Sequence, residues 1–143
     1  MEEELLVIQK NQTWDLVDLP KGKNAIGLKW VLTTKYHLDG SIQKHKAMLF
    51  VKGYSQHQGI NYEETFALVS RFETVRTLLA LVAHLNWPAY QFDVKSAFLN
   101  GDIEEEVYVS QPEVFQIKGK EHKVYKLKKA LYGLKQALRA WYF

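Results

Sequence analysis

The dipeptide Asp39-Gly40 lies between two runs of β-prone residues, and this arrangement constrains the fold more than any other feature of the sequence. An Asp-Gly pair in such a setting is the strongest short-range signal of a β-hairpin. We therefore expect a hairpin over roughly residues 27 to 52. On its second strand Lys44, Lys46 and Lys52 have the same parity, and side chains of equal parity project from one face of a strand. The hairpin is thus expected to present a basic stripe.

Residue periodicity predicts further elements on both sides of the hairpin. Helices are expected at EEELLVIQKN, at ETVRTLLALVAHLNW and at the final KKALYGLKQALRAWYF, which contains Gly133. Strands are expected at AYQFDV, EVYVSQP and KVYKL, whereas the alternating run TWDLVDLPKGKN is interpreted only as a leading segment. This irregular order of helices and strands favours an α+β fold over a doubly wound sheet.

The composition is that of one folded domain. The chain has 143 residues, of which 47% are hydrophobic and 24% charged, and its net charge of +3 is too small to identify a nucleic-acid binder by itself. There is no cysteine, which excludes disulfides and thiolate metal sites. The acidic N-terminus is unlike a signal peptide, and no apolar run is long enough to span a membrane. We expect a soluble intracellular protein without a membrane partner, and the cytoplasm and the nucleus are not distinguished.

One acidic residue, Asp93, interrupts the strand-like run YQFDV on its polar side. Such an aspartate is either solvated, a cap for the next helix, or a metal ligand. A two-metal site requires at least two rigidly placed carboxylates. The available partners are Glu63-Glu64, Asp102 and Glu104 to Glu106, and their polar, turn-like surroundings favour a solvated surface for each. The chain contains no Asp-Asp pair, and no two of its five histidines have metal-ligand spacing within one helix.

The basic stripe also has two interpretations. Lysines on an exposed hairpin face are ordinarily solubilising. The same stripe, with Trp30, Tyr36, Phe50 and Tyr54 nearby in sequence, would suit the backbone and bases of a nucleic acid. Spacing does not decide between these two alternatives.

Four consecutive blocks closely resemble the reverse transcriptase of copia-type retrotransposons. They are NQTWDLVDLPKGKNAIGLKWV, DGSIQKHKAMLFVKGYSQHQGINYEETFALVSRFETVRTLLAL, QFDVKSAFLNGDIEEEVYVSQP and KLKKALYGLKQALRAWY. The resemblance covers nearly the whole chain, in order and without large gaps. It implies part of a right-hand polymerase, with the fingers at roughly residues 1 to 87 and the start of the palm at roughly 88 to 143. The implied partners are an RNA or DNA template-primer and a dNTP.

The resemblance also implies a role for particular residues. Asp93 corresponds to the aspartate that binds the catalytic Mg²⁺ ions, and Phe98 to the aromatic that excludes a ribose 2′-OH. Lys46 is the expected contact to the incoming triphosphate, because charge-assisted hydrogen bonds suit phosphate. Gly133 is expected at a close backbone approach behind the nucleotide, although a packing glycine is an equal alternative. Gln136 is a further nucleotide-binding candidate from the same block.

The chain departs from the family pattern at several positions. Met48 stands where the family has an arginine beside the triphosphate. The family's Pro-Pro-Gly-Phe is replaced by Pro-Glu-Val-Phe at 112 to 115, and its Ala-Pro-Arg by Ala-Leu-Arg at 137 to 139. These departures are interpreted as drift in a decayed element.

Since the sequence ends at Phe143, the resemblance implies that the family's Tyr-x-Asp-Asp block, the rest of the palm, the thumb and the RNase H portion lie outside it. We therefore expect this polypeptide alone to be catalytically incomplete. The alternatives to a polymerase fragment are a non-catalytic nucleic-acid-binding module and an inert remnant. An unpaired sheet edge and an uncovered helix face are expected to make the product poorly stable and prone to aggregation.

Overall fold

The computed structural model describes residues 1–65 and 70–142, and the expected elements are largely present in these residues. The helices and strands are α1 (Glu2–Lys10), β1 (Trp14–Val17), β2 (Leu28–Tyr36), β3 (Ile42–Val51), α2 (Phe72–His84), β4 (Tyr108–Val109), β5 (Val124–Leu127) and α3 (Ala137–Tyr142). Short 3₁₀ turns lie at Gly53–Ser55 and Ala97–Asn100. The predicted mixture of helices and strands is therefore confirmed. No helix among the described residues is long and apolar enough to cross a membrane.

Strands β2 and β3 form the predicted hairpin, in antiparallel register from Leu28 opposite Val51 to Tyr36 opposite Ile42. Gly40 has φ +83°, a conformation that glycine adopts without steric cost. The Asp39 carboxylate accepts hydrogen bonds from the Ser41 backbone N–H at 2.9 Å and hydroxyl at 2.6 Å. These bonds hold the loop closed, so the turn follows from the local sequence.

A second sheet joins distant parts of the chain in the order β1-β5-β4, with every pair antiparallel. Trp14 pairs with Leu127, and the Trp14 ring stacks on Tyr125 with centroids 4.2 Å apart. The strands β4 and β5 were predicted. Strand β1 was not, because four residues with an alternating pattern become a strand only when a partner strand is present.

The hydrophobic core lies between the base of the hairpin and the second sheet. Leu49 and Val51 from β3 are fully or nearly fully buried, as are Leu127 and Leu131 near the C-terminal end. Ile8 of α1 is also completely buried in this cluster. Burying an aliphatic side chain of this size contributes about 1.5 to 3 kcal/mol before the entropic cost. The core thus combines residues from the predicted fingers region with residues from the predicted palm region.

Helix α2 agrees with the predicted helix, but its apolar face is exposed. Leu78 and Leu79 have relative exposures of 59% and 54%, and no residue of α2 is buried. The same holds for the segment that follows, in which Trp87 and Phe92 are 60% and 85% exposed. The described residues therefore leave a continuous stretch of apolar side chains uncovered.

Two predicted elements are wrong as stated. The run AYQFDV forms no strand, because a strand needs a partner for its backbone N–H and C=O groups and the described residues supply none there. The predicted final helix is confined to Ala137–Tyr142, and Phe143 lies outside the described residues. The helix cannot include Gly133, whose φ of +90° is left-handed.

Candidate functional site

Three aromatic side chains meet at the base of the hairpin, and Tyr132 lies in the middle. The Phe98 ring contacts the Tyr132 ring edge-on, with centroids 4.9 Å apart and planes at 72°. The Phe50 ring contacts Tyr132 at 5.5 Å and 35°. We call Phe50, Phe98 and Tyr132 the aromatic cluster. It brings the predicted sugar-contacting residue Phe98 together with strand β3 and with the block that contains Gly133.

The backbone around Tyr132 is fixed against the end of β3. The Val51 N–H donates a hydrogen bond of 2.7 Å to the Tyr132 carbonyl oxygen. A Cβ on Gly133 would overlap the Val51 carbonyl oxygen, and a Cβ on Gly53 would overlap the Gly133 carbonyl oxygen. Gly133 is therefore packed against the protein backbone, as the packing alternative requires, and its approach to a nucleotide stays a prediction.

Two carboxylates act on the Tyr132 hydroxyl. The pKa of Tyr132 is raised above its ordinary value, first by burial and then by the negative charges of Glu4 and Asp93. The Glu4 carboxylate reaches β3, where it accepts a hydrogen bond of 3.5 Å from the Leu49 N–H. Asp93 is itself exposed. The Asp93 charge thus acts on the Tyr132 hydroxyl, and the residue is open to solvent, as a ligand-binding carboxylate requires.

A row of lysines follows the same face of the hairpin as Phe50. Lys46 lies opposite Thr33, and Lys44 lies opposite Lys35. Lys29 lies opposite Phe50, so β2 contributes to this face as well. We call Lys29, Lys35, Lys44 and Lys46 the lysine face; all are exposed, and no described carboxylate forms an ion pair with them.

The predicted stripe is only partly continuous, since Lys52 lies beyond the end of β3 and its backbone N–H is bonded to Gly27. Lys46 and Phe50 are four positions apart on one strand, which corresponds to about 13 Å. The lysine face thus approaches the aromatic cluster along β3.

Gln136 lies apart from the aromatic cluster, in a buried hydrogen-bond network. Its Oε1 accepts from Gln56 Nε2 at 3.0 Å, and its Nε2 donates to the Asn61 carbonyl oxygen at 3.0 Å. Gln56 Oε1 also accepts from the Lys135 N–H at 2.9 Å. The network fastens the loop after β3 to the segment that precedes α3.

The other carboxylates considered as partners of Asp93 lie elsewhere. Glu64, Asp102, Glu104 and Glu105 line a cavity of about 610 Å³, together with Arg139.

Glu106 forms ion pairs with Lys23 at 3.0 Å and Lys126 at 3.3 Å. Hydrogen bonds from Lys23 and then Lys126 lower its pKa. Within the described ranges, no three or more His, Cys, Asp or Glu side chains are grouped so that they could hold a metal ion. These residues therefore do not form a metal site by themselves.

Comparison with protein families identifies the chain. The family described as "Reverse transcriptase (RNA-dependent DNA polymerase)" matches residues 11–143. The chain belongs to this reverse transcriptase family. No solved structure matches it.

Relatives of this reverse transcriptase chain are parts of transposon polyproteins. It is 50% identical over 142 residues to the retrovirus-related Pol polyprotein from transposon TNT 1-94 of Nicotiana tabacum, covering 99% of the chain and 11% of that protein. It is 47% identical over 133 residues to the corresponding polyprotein from transposon RE1 of Arabidopsis thaliana, covering 92% of the chain and 9% of the relative. A Ty1-BL Gag-Pol polyprotein of Saccharomyces cerevisiae is 32% identical over 137 residues, covering 93% of the chain and 7% of that protein. The chain therefore corresponds to a portion of a copia-type retrotransposon Pol polyprotein, spanning about a tenth of the first two relatives.

The structure reveals residues that the sequence did not single out. Lys29 and Lys35 could have been found, since the Asp39-Gly40 turn sets the hairpin register and the register places them beside Lys44 and Lys46. Tyr132 could not, because its two ring partners are distant in sequence and its own segment has helical periodicity.

Proposed function

We propose that this chain forms the fingers, at roughly residues 1 to 87, and the beginning of the palm, from roughly 88, of an RNA-directed DNA polymerase. The observation that carries the proposal is the aromatic cluster. It joins Phe98 to the strand that bears Lys46, and the Asp93 charge acts on Tyr132 in the same cluster. The cluster therefore brings Phe98 into contact with the strand that bears Lys46, and its central ring feels the charge of Asp93.

Each residue has a chemical task in this proposal. Lys46 binds the triphosphate through charge-assisted hydrogen bonds. The separation of about 13 Å between Lys46 and Phe50 along β3 leaves room for an extended nucleoside triphosphate. Phe98 crowds the position of a ribose 2′-OH, so a deoxynucleotide binds better. Gly133 supports the site from behind through its packing on the Val51 backbone, and Gln136 through its hydrogen bonds to Gln56 and Asn61.

Asp93 is proposed to provide one oxygen ligand to Mg²⁺ in the longer polyprotein. Mg²⁺ prefers hard oxygen ligands, and the exposed Asp93 carboxylate is of that type. A two-metal site needs further carboxylates, and these 143 residues contain no Asp-Asp pair. We therefore propose that the 143-residue polypeptide does not polymerise by itself.

Primer extension tests this proposal. The chain alone, with Mg²⁺, dTTP and oligo(dT) annealed to poly(rA), is expected to incorporate no nucleotide. A fusion to a C-terminal segment that carries the family's Tyr-x-Asp-Asp block is expected to incorporate dTMP. In that fusion Asp93→Asn should abolish incorporation, because an amide is a poor substitute for a metal-binding carboxylate.

Asp15→Asn is the matched control, because Asp15 is an exposed aspartate of β1 that pairs with Lys128 at 3.0 Å, outside the site. It should retain incorporation. Activity of the chain alone, or an active Asp93→Asn fusion, would contradict the proposal.

A non-catalytic nucleic-acid-binding module is a second candidate, favoured by the lysine face. Exposed lysines without carboxylate partners are free to contact phosphates. Filter binding of single-stranded nucleic acid at increasing salt should show affinity falling linearly on logarithmic axes. Replacing Lys44 and Lys46 by Gln should reduce the slope by roughly 0.7 for each phosphate that is no longer neutralised. Lys118→Gln with Lys120→Gln, in the turn between β4 and β5, removes the same charge and should leave the slope unchanged. A salt-independent or undetectable signal would eliminate this candidate.

A further inference from the structure

We propose that Tyr132 is a positioning residue for sugar selection: its ring fixes the Phe98 ring and ties it to strand β3, which bears Lys46. The inference rests on the proposed polymerase function. It adds a residue that acts through Phe98 and does not itself contact the nucleotide.

The ring geometry is that of a specific aromatic pair. Edge-on contacts with centroids 4.5 to 7 Å apart are favoured, because the positive edge of one ring meets the negative face of the other. The Phe98 and Tyr132 rings meet this description at 4.9 Å and 72°. Such a contact restricts the orientation of Phe98 as well as its position.

Tyr132 is in turn held against the end of β3 by its backbone, its neighbouring glycine and a second ring. Its carbonyl oxygen is bonded to the Val51 N–H at 2.7 Å. Gly133 next to it is packed closely against the Val51 backbone. Phe50 also contacts the Tyr132 ring, with centroids 5.5 Å apart. A displacement of β3 would therefore reach Phe98 through Tyr132.

The backbone of Phe98 is anchored, while its side chain depends on neighbours. Leu99, the next residue, is buried in the core, and the Gly101 N–H donates to the Phe98 carbonyl oxygen at 3.0 Å. The Phe98 side chain is only partly buried. Among the described residues, its one ring partner is Tyr132.

The Tyr132 hydroxyl is not required for this role. Burial and the charges of Glu4 and Asp93 raise its pKa, so the phenol stays neutral at working pH. The aromatic ring is what meets Phe98. Tyr132→Phe should therefore preserve the function, and Tyr132→Leu should not.

Sugar selectivity of the active fusion is the decisive measurement, expressed as the ratio of kcat/KM for dTTP to that for UTP. We expect Tyr132→Leu to lower this ratio about tenfold to a hundredfold, since misplacing a contacting group by about 1 Å has effects of this size. Tyr132→Phe should stay within about twofold of the unsubstituted fusion. A merely structural role would lower both kcat/KM values together and leave their ratio unchanged.

Two further variants test whether Tyr132 acts through Phe98. Phe98→Val alone should lower the ratio, and Tyr132→Leu added to it should have almost no further effect, because residues acting through one another are not additive. Tyr125→Leu removes a partly buried tyrosine from the Trp14 stack on the other sheet and should leave the ratio unchanged.

If Phe98→Val leaves the ratio unchanged, the proposed role of Phe98 in excluding a ribose 2′-OH is wrong. If Phe98→Val lowers it and Tyr132→Leu does not, or if the two effects add, the inference alone is overturned.

A measurement on the 143-residue chain is independent of polymerase activity. With 4-fluorophenylalanine at position 98, the ¹⁹F signal should move on Tyr132→Leu, because the ring current of Tyr132 is removed, and should barely move on Tyr132→Phe or Tyr125→Leu. An unchanged ¹⁹F signal in the folded Tyr132→Leu chain would show that the rings are not in contact and would refute the inference.

Discussion

At the scale of single residues, Gly133 occupies a position that no other amino acid fits. Its φ is +90°, and a Cβ would overlap the Val51 carbonyl oxygen. The left-handed backbone and the overlap both oppose a side chain. The residue therefore determines how closely the block containing Tyr132 can approach β3.

We predict that Gly133→Ala lowers the free energy of unfolding by about 2 to 4 kcal/mol, through backbone strain and steric overlap together. Gly119→Ala is the matched control, because Gly119 also has a positive φ, +80°, but has no atom within 4 Å of the added Cβ. It should cost only about 1 kcal/mol. Urea unfolding followed by circular dichroism measures both. Equal losses for the two variants would show that the contact with Val51 is not important.

The candidate site could be predicted from sequence only residue by residue. Asp93, Phe98, Lys46, Gly133 and Gln136 were singled out by family resemblance, and their roles remain predictions. The structure adds which of them are neighbours. Phe98 contacts Tyr132, the residue that precedes Gly133, whereas Gln136 lies in a separate hydrogen-bond network. Such contacts join residues far apart in sequence, so no local pattern indicates them.

At the scale of elements, the helices and strands that were predicted correctly are those whose stabilising contacts are local in sequence. The hairpin was predicted because its turn and strand pattern are contained in about 25 consecutive residues, as short-range hairpin signals require. The run AYQFDV was wrongly predicted as a strand, because alternation indicates a strand that also needs a partner. The final helix was predicted too long, since the periodicity of leucines does not reveal that Gly133 is packed against Val51.

Helix α2 provides an element-scale prediction. Leu78→Lys with Leu79→Lys should change the free energy of unfolding by less than about 0.5 kcal/mol for each substitution, because both side chains are mostly exposed. The double variant should also aggregate less, as measured by light scattering, because it interrupts an exposed apolar face.

Leu131→Ala is the contrasting variant, since Leu131 is only 1% exposed. This substitution should lower the free energy of unfolding by about 2 to 5 kcal/mol. A comparable loss in the Leu78/Leu79 variant would mean that α2 is covered in the folded chain.

At the scale of the whole molecule, residues near the beginning of the sequence pack against residues near its end. Strand β1 pairs with β5, and Lys128 forms an ion pair of 3.0 Å with Asp15, 113 positions earlier. Ile8, near the start of the chain, is buried in the same cluster as Leu131. Neither half of the sequence contains the whole core.

The pairing of β1 with β5 has a consequence for folding during synthesis on the ribosome. At about 5 to 20 residues per second, synthesis of the stretch between Asp15 and Lys128 takes roughly 5 to 20 s. During that time β1 has no partner strand, whereas the β2–β3 hairpin can already form. Long sequence separation between contacts also slows the closing step itself. The nascent chain therefore exposes an unpaired strand to chaperones until β5 has left the exit tunnel, and the second sheet is assembled only then.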